Sequence, residues 1–139
     1  MRAVLFAATL GLAAVPARAA DLNVTIEGIR DTRGDVYLAL FRNPQNWPEG
    51  GRAEYQERRK AAPGAVAFRL TGLAPGTYAA ASFHDENGNG RFDRSLIGMP
   101  QEGWGVSNDV RPGLRAPTFR EASFTLPPEG GSLTIHLGY

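Results

Sequence analysis

The chain has 139 residues, no cysteine, and 15 basic residues against 14 acidic ones. The lack of cysteine excludes disulfides, a lipid-modified cysteine and every thiolate-based nucleophile or metal ligand. A near-balanced charge gives no electrostatic footprint for nucleic acid, and the length suits one hydrophobic core.

Residues 1–20 read MRAVLFAATLGLAAVPARAA. Arg2, the apolar run from Ala3 to Val15, Pro16 and the triplet Ala17-Arg18-Ala19 have the order of a secretory signal peptide, cleaved after Ala19 or Ala20. Pro16 and Arg18 stop the run short of the roughly 20 apolar residues that a membrane span needs. Residues 21–139 are then expected to form a single domain in the periplasm or outside the cell. Losing Arg2 and Arg18 takes the basic count from 15 to 13 against 14 acids, so that domain is close to neutral.

In chain order, Leu22 to Glu27 alternate apolar and polar residues and predict a half-buried strand. After a turn at Asp31 to Gly34, Asp35 to Phe41 carry apolar residues on both parities, as in a central strand covered on both faces. Arg42 to Gly64 read as a long surface connection in which Arg52 to Ala62 form a short polar helix. Alternation resumes at Ala65 to Leu70, and Leu73-Ala74-Pro75-Gly76 turns the chain into a strand at Thr77 to Phe83. Two last strands are expected at Glu121 to Leu126 and Leu133 to Leu137, with a seventh hidden between Arg94 and Val110. Short strands punctuated by Gly and Pro predict an all-β fold, a single antiparallel β-sandwich of about seven strands. Most of these strands are too short for an outer-membrane barrel.

His84 to Asp93, HDENGNGRFD, hold the most specific chemistry. Calcium takes 6–8 oxygen ligands, and helix-loop-helix sites supply them from loop positions 1, 3, 5, 7 and 9 with a sharp turn at 6. Counting from Asp85 gives Asn87 at 3, Asn89 at 5, Gly90 at 6, the Arg91 backbone carbonyl at 7, Phe92 at 8 and Asp93 at 9. Short Asp and Asn arms on a curled backbone reach an ion without strain, and Gly90 accepts the positive φ of the bend. Position 12, normally a bidentate Glu, is Leu96. A weak structural Ca2+ site at Asp85, Asn87, Asn89, Arg91 and Asp93 therefore needs more oxygen from water or from acids such as Glu102 and Asp109. The competing reading is a double turn, because Asn87-Gly88 and Asn89-Gly90 are both favoured turn pairs.

The stretch GLAPGTYAAASFHDENGNGRFD, then Ile97-Gly98-Met99-Pro100-Gln101-Glu102-Gly103-Trp104-Gly105-Val106-Ser107-Asn108 and later Pro117-Thr118-Phe119-Arg120-Glu121-Ala122, resembles the bacterial secreted family called domain of unknown function 2141. That resemblance implies one secreted β-rich domain and no assigned activity. The family pattern commonly has a lysine before the motif glutamate, where Gln101 stands here. Separately, Gly72 to Tyr78 resemble the turn-and-strand signature of transthyretin-like and carboxypeptidase-regulatory-like sandwiches, so a transthyretin-like or immunoglobulin-like type is expected.

No catalytic set emerges from the sequence. His84 and Asp85 are adjacent on a strand and point to opposite faces, Ser107 lacks the glycines of a nucleophile elbow, and the single lysine, Lys60, lies in the polar connection. The chain is therefore expected to be a non-catalytic interaction or structural protein of the cell envelope. The alternative is a carbohydrate-binding module in which Trp47, Tyr55 or Trp104, all read as lying in irregular segments, stack on a glycan. An enzyme whose site is assembled by folding ranks third. The basic group Arg52, Arg58, Arg59 and Lys60 is diluted by Glu54 and Glu57 and reads as a solvated helix face.

Overall fold

Leu22, Val24 and Ile26 turn one face of the first strand inward, and Asn23, Thr25 and Glu27 the other face outward, which is the period-two pattern of a sheet with one dry side. The computed structural model describes residues 18–48 and 52–139. The expected leader up to residue 17 and the segment 49–51 lie outside the described residues. The elements are β1 (Ala20–Ile29), β2 (Asp35–Phe41), β3 (Tyr55–Lys60), β4 (Gly64–Leu73), β5 (Gly76–Asp85), β6 (Trp104–Val106), α1 (Phe119–Ala122), β7 (Ser123–Leu126) and β8 (Gly131–His136).

The strands form two packed sheets, one ordered β4-β1-β8 and the other β3-β2-β5-β6, with β7 also paired to β5. Val24, Ile26, Phe68, Leu70 and Ile135 of the first sheet meet Val36, Leu38, Leu40 and Tyr78 of the second in one dry core. Each large apolar side chain buried there contributes about 1.5–3 kcal/mol relative to leaving it in water. The chain is all-β in class, as its alternation predicts. Among the described residues the strands number eight, where about seven were expected. The pairing is also not purely antiparallel, because β8 lies parallel to β1 from Leu22↔Gly131 to Glu27↔His136.

Two local expectations are corrected. Arg52 to Ala62 do not make a helix; Tyr55–Lys60 form β3, antiparallel to β2. Glu, Arg and Lys are good helix formers, but the open edge of β2 offers unpaired backbone groups, and that tertiary pairing outweighs propensity. The basic group is neutralised there: Lys60 pairs with Asp35 at 3.0 Å and Arg59 with Glu57 at 2.8 Å. Charged residues along such an edge also discourage pairing with another chain. In the second correction, the strand expected at Glu121 begins only at Ser123. The preceding Thr118 and Glu121 make a reciprocal capping box that starts α1.

The expected seventh strand between Arg94 and Val110 is present as β6, so Trp104 lies in a strand rather than a loop. Tyr55 likewise lies in β3. At the turn before β5, the Tyr78 hydroxyl donates to the Ala74 carbonyl at 2.7 Å. This is the tyrosine corner found in β-sandwiches. No helix among the described residues is long and apolar enough to cross a membrane.

Candidate metal site

Asp85 is the last residue of β5, paired in register with Asp35 of β2, and it is buried. The turn between β1 and β2 presses on it. Gly34 sits at φ +65°, and a Cβ added there would collide with the Asp85 backbone carbonyl. The loop that follows therefore leaves from a fixed point.

The loop closes on the carboxylate of Asp85. Its Oδ1 accepts the Asn89 N–H at 3.2 Å, and its Oδ2 accepts the Gly90 N–H at 2.8 Å. Asn87 and Asn89 each accept an N–H two residues on, from Asn89 and Arg91, which is the Asx-turn pattern of these side chains. Gly88 and Gly90 take positive φ, +70° and +74°. Phe92 anchors the far side, its ring centroid 5.5 Å from that of Phe83.

The four expected side-chain ligands converge; the fifth expected oxygen is the Arg91 backbone carbonyl. Asn87 Nδ2 donates to Asp93 Oδ2 at 2.6 Å, and Asn89 Nδ2 donates to both Asp93 oxygens at 2.9 and 3.0 Å. Asp85, Asn87, Asn89 and Asp93 thus share one curl of backbone, and the Arg91 side chain is exposed outside it. In this arrangement the loop is a hydrogen-bonded double turn. No group of three or more His, Cys, Asp or Glu stands at metal-ligating spacing among the described residues.

Of the two acids proposed to complete the shell, the structure brings in one. Glu102 Oε2 accepts the Asp93 N–H at 3.0 Å, and Glu102 is 5% exposed. Its Oε1 is buried without a hydrogen-bond partner among the described residues. Burial raises the Glu102 pKa above the ordinary carboxylate value, and the charges of Asp93 and Asp85 push it the same way, against the hydrogen bond from the Asp93 backbone N–H. Glu102, Asn87 and Asp93 line one hollow of about 230 Å³ with Arg33, Glu86 and Gln101. Asp109 is not there; its carboxylate binds the His136 backbone N–H at 2.9 Å and Nδ1 at 2.7 Å.

Glu86, which the sequence did not single out, is an ion-pair hub beside the loop. Its Oε2 receives Arg30 at 2.7 Å and Arg33 at 2.9 Å. These partners lie more than fifty residues away in the chain, so no local pattern announces them.

The residues weighed for catalysis are committed to structure. His84 is fully buried, with Nε2 2.6 Å from the Arg33 carbonyl and Nδ1 2.9 Å from the Tyr139 hydroxyl. A carbonyl only accepts, so Nε2 carries the proton. Asp85 makes none of these contacts, as strand parity requires. The Ser107 hydroxyl is buried, accepts the Ala80 N–H at 2.9 Å and donates to the Ala122 carbonyl. Trp47 is half-buried, its Nε1 donating to the Pro117 carbonyl at 2.8 Å and its ring set edge-on to Phe41 and Phe119.

The family model described as "Uncharacterized protein conserved in bacteria (DUF2141)" matches residues 24–135, which run from β1 through β8 and include the whole loop. The chain belongs to this family. No curated protein and no solved structure matches it. The DUF2141 match takes in strands of both sheets.

Proposed function

We propose that this DUF2141 protein is a secreted, non-catalytic β-sandwich domain of the bacterial cell envelope, stabilised by one calcium ion in the loop from Asp85 to Asp93. The observation that carries the reading is the buried Oε1 of Glu102, which has no hydrogen-bond partner among the described residues, on a side chain whose other oxygen accepts the Asp93 N–H and which lines a hollow with Asn87 and Asp93. Glu102 stands in for the glutamate that is missing at loop position 12. Asp85, Asn87, Asn89, the Arg91 carbonyl, Asp93 and Glu102 supply an oxygen each, within the 6–8 that calcium takes. Rotating the amides of Asn87 and Asn89 exchanges Nδ2 for Oδ1, giving up the two Asx-turn bonds to the Asn89 and Arg91 N–H groups in return for two oxygen ligands.

Burial raises the Glu102 pKa most, and the charges of Asp93 and Asp85 add to it; a bound cation would offset both effects. Two neutral amides among the ligands keep affinity in the range of extracellular modules, about 0.1–1 mM. The tyrosine corner at Tyr78 and the Gly72 to Tyr78 turn support an immunoglobulin-like or transthyretin-like sandwich as the domain type. The engaged state of His84 and Ser107 supports a non-catalytic role.

The test is calcium titration followed by calorimetry, with magnesium as control. One-to-one binding that is lost in both Asp93→Asn and Glu102→Gln supports the reading. Absence of heat up to 10 mM calcium, or unchanged binding in both variants, overturns it.

A further inference from the structure

The face of the second sheet that points away from the main core is closed at one end, where Ala79, Val106 and Ala122 form a second buried cluster with Trp47, Trp104 and Phe119 packed against it, and it carries a cavity beside that cluster. Tyr37 of β2 and Phe83 of β5 stack there, ring centroids 4.8 Å apart and 8° from parallel. They form the floor of a cavity of about 650 Å³, walled by Trp47 and by Trp104, with Met99 and Leu114 at its lip. That volume is within the roughly 300–1,000 Å³ of small-molecule sites. Four of the five exposed large hydrophobic side chains among the described residues, Leu96, Ile97, Met99 and Leu114, belong to the two loops that border it. Leu96 and Leu114 are essentially fully solvated.

The charge of the lining is one-sided. Arg91, Arg94 and Arg115 line the cavity, and among the described residues no Asp or Glu does. Arg115 is paired with Glu121 at 2.6 Å, whereas Arg91 and Arg94 make no ion pair among the described residues. A protein with nearly equal numbers of acids and bases thus has, among the described residues, two guanidinium groups without an ion pair beside an aromatic floor, that of Arg94 lying 5.3 Å from the Phe92 ring centroid.

We infer that this cavity binds a small amphiphilic anion, a carboxylate with an aliphatic or aromatic body. The body covers the Tyr37–Phe83 floor and the exposed lip, and the carboxylate lies against Arg91 and Arg94, whose planar forks match it bidentately. Apolar burial supplies most of the affinity and the arginines the sign of charge. The inference goes beyond the calcium reading and does not depend on it.

The two tryptophans of the chain both line the cavity, so intrinsic fluorescence reports occupancy. Dodecanoate, dodecyltrimethylammonium and maltohexaose are titrated below micellar concentrations in chelator, so that failure here is distinct from failure of the calcium site. Dodecanoate is expected to shift tryptophan emission saturably. The Arg91→Glu/Arg94→Glu double variant, with an unchanged melting temperature, is expected to bind it at least about tenfold more weakly, the loss of two charge-assisted contacts. The Arg91→Gln/Arg94→Gln pair serves if charge reversal disturbs folding. No response to dodecanoate, equal affinity for the alkylammonium, a response to maltohexaose instead, or unaltered dodecanoate binding in the arginine variants overturns the inference.

Discussion

The Glu102 carboxylate reaches back to accept the backbone N–H of Asp93 at 3.0 Å, and its second oxygen stays buried with no partner among the described residues. One oxygen fixes where the loop ends; the other is held in position at an energetic cost. An unsatisfied buried polar atom costs about 1–3 kcal/mol, and calcium coordination would recover that cost.

Calcium at ten times its dissociation constant adds about 1.4 kcal/mol to the folded state. For a domain of this size that raises the melting temperature by roughly 5 °C. A thermal melt in 10 mM calcium against chelator is expected to show this rise in the wild type and to lose most of it in Glu102→Gln. Because a proton competes with the ion for a carboxylate of raised pKa, the rise is expected to shrink as pH falls through the Glu102 titration.

Gly34 holds Asp85 in place from the neighbouring turn. A side chain there meets the Asp85 backbone and must adopt φ +65°. Gly34→Ala is expected to cost at least about 1–3 kcal/mol, measured by urea unfolding, and to weaken calcium binding by displacing the first ligand.

Tyr139 closes the opposite end of the β1–β2 turn. Its hydroxyl meets His84 Nδ1 at 2.9 Å, and Arg30 lies over its ring at 4.2 Å. Tyr139→Phe keeps the ring and leaves the buried imidazole nitrogen unpaired, with an expected loss of about 1–3 kcal/mol. Equal stability of Tyr139→Phe and wild type in urea would show that water replaces the hydroxyl.

His136 gives the fold a pH dependence near neutrality. The hydrogen bond that its Nδ1–H donates to Asp109 raises its pKa most, followed by the charge of Asp109, with Glu27 adding to it and burial opposing. Since the folded value exceeds the ordinary 6.5, this stabilisation is fully present below pH 6.5. It is lost as pH rises through the folded value. The melting temperature is expected to fall over that interval in the wild type and to stay flatter in His136→Gln. Added salt should reduce the difference, because the group is exposed and screened.

The all-β class and six strand positions were legible because a one-sided sheet imposes period two on its residues, as at Leu22, Val24 and Ile26 or Val66, Phe68 and Leu70. The loop from Asp85 to Asp93 was legible for a related reason. Asx turns and Asn-Gly pairs act within a few residues, so their signal is contiguous. β3 was not legible, since its residues have no periodic apolar face and pair only because β2 has a free edge.

The sequence by itself determined the class of fold, the curl of the loop and the four side chains inside it, since each depends on neighbours within a few positions. Only the tertiary structure decided that Glu102 joins that loop and Asp109 does not, that β8 runs parallel to β1, and that Arg91 and Arg94 border an aromatic cavity. Those relations join residues distant in the chain. They are set by how two sheets share one dry core and by which loops are left to cover the outer face.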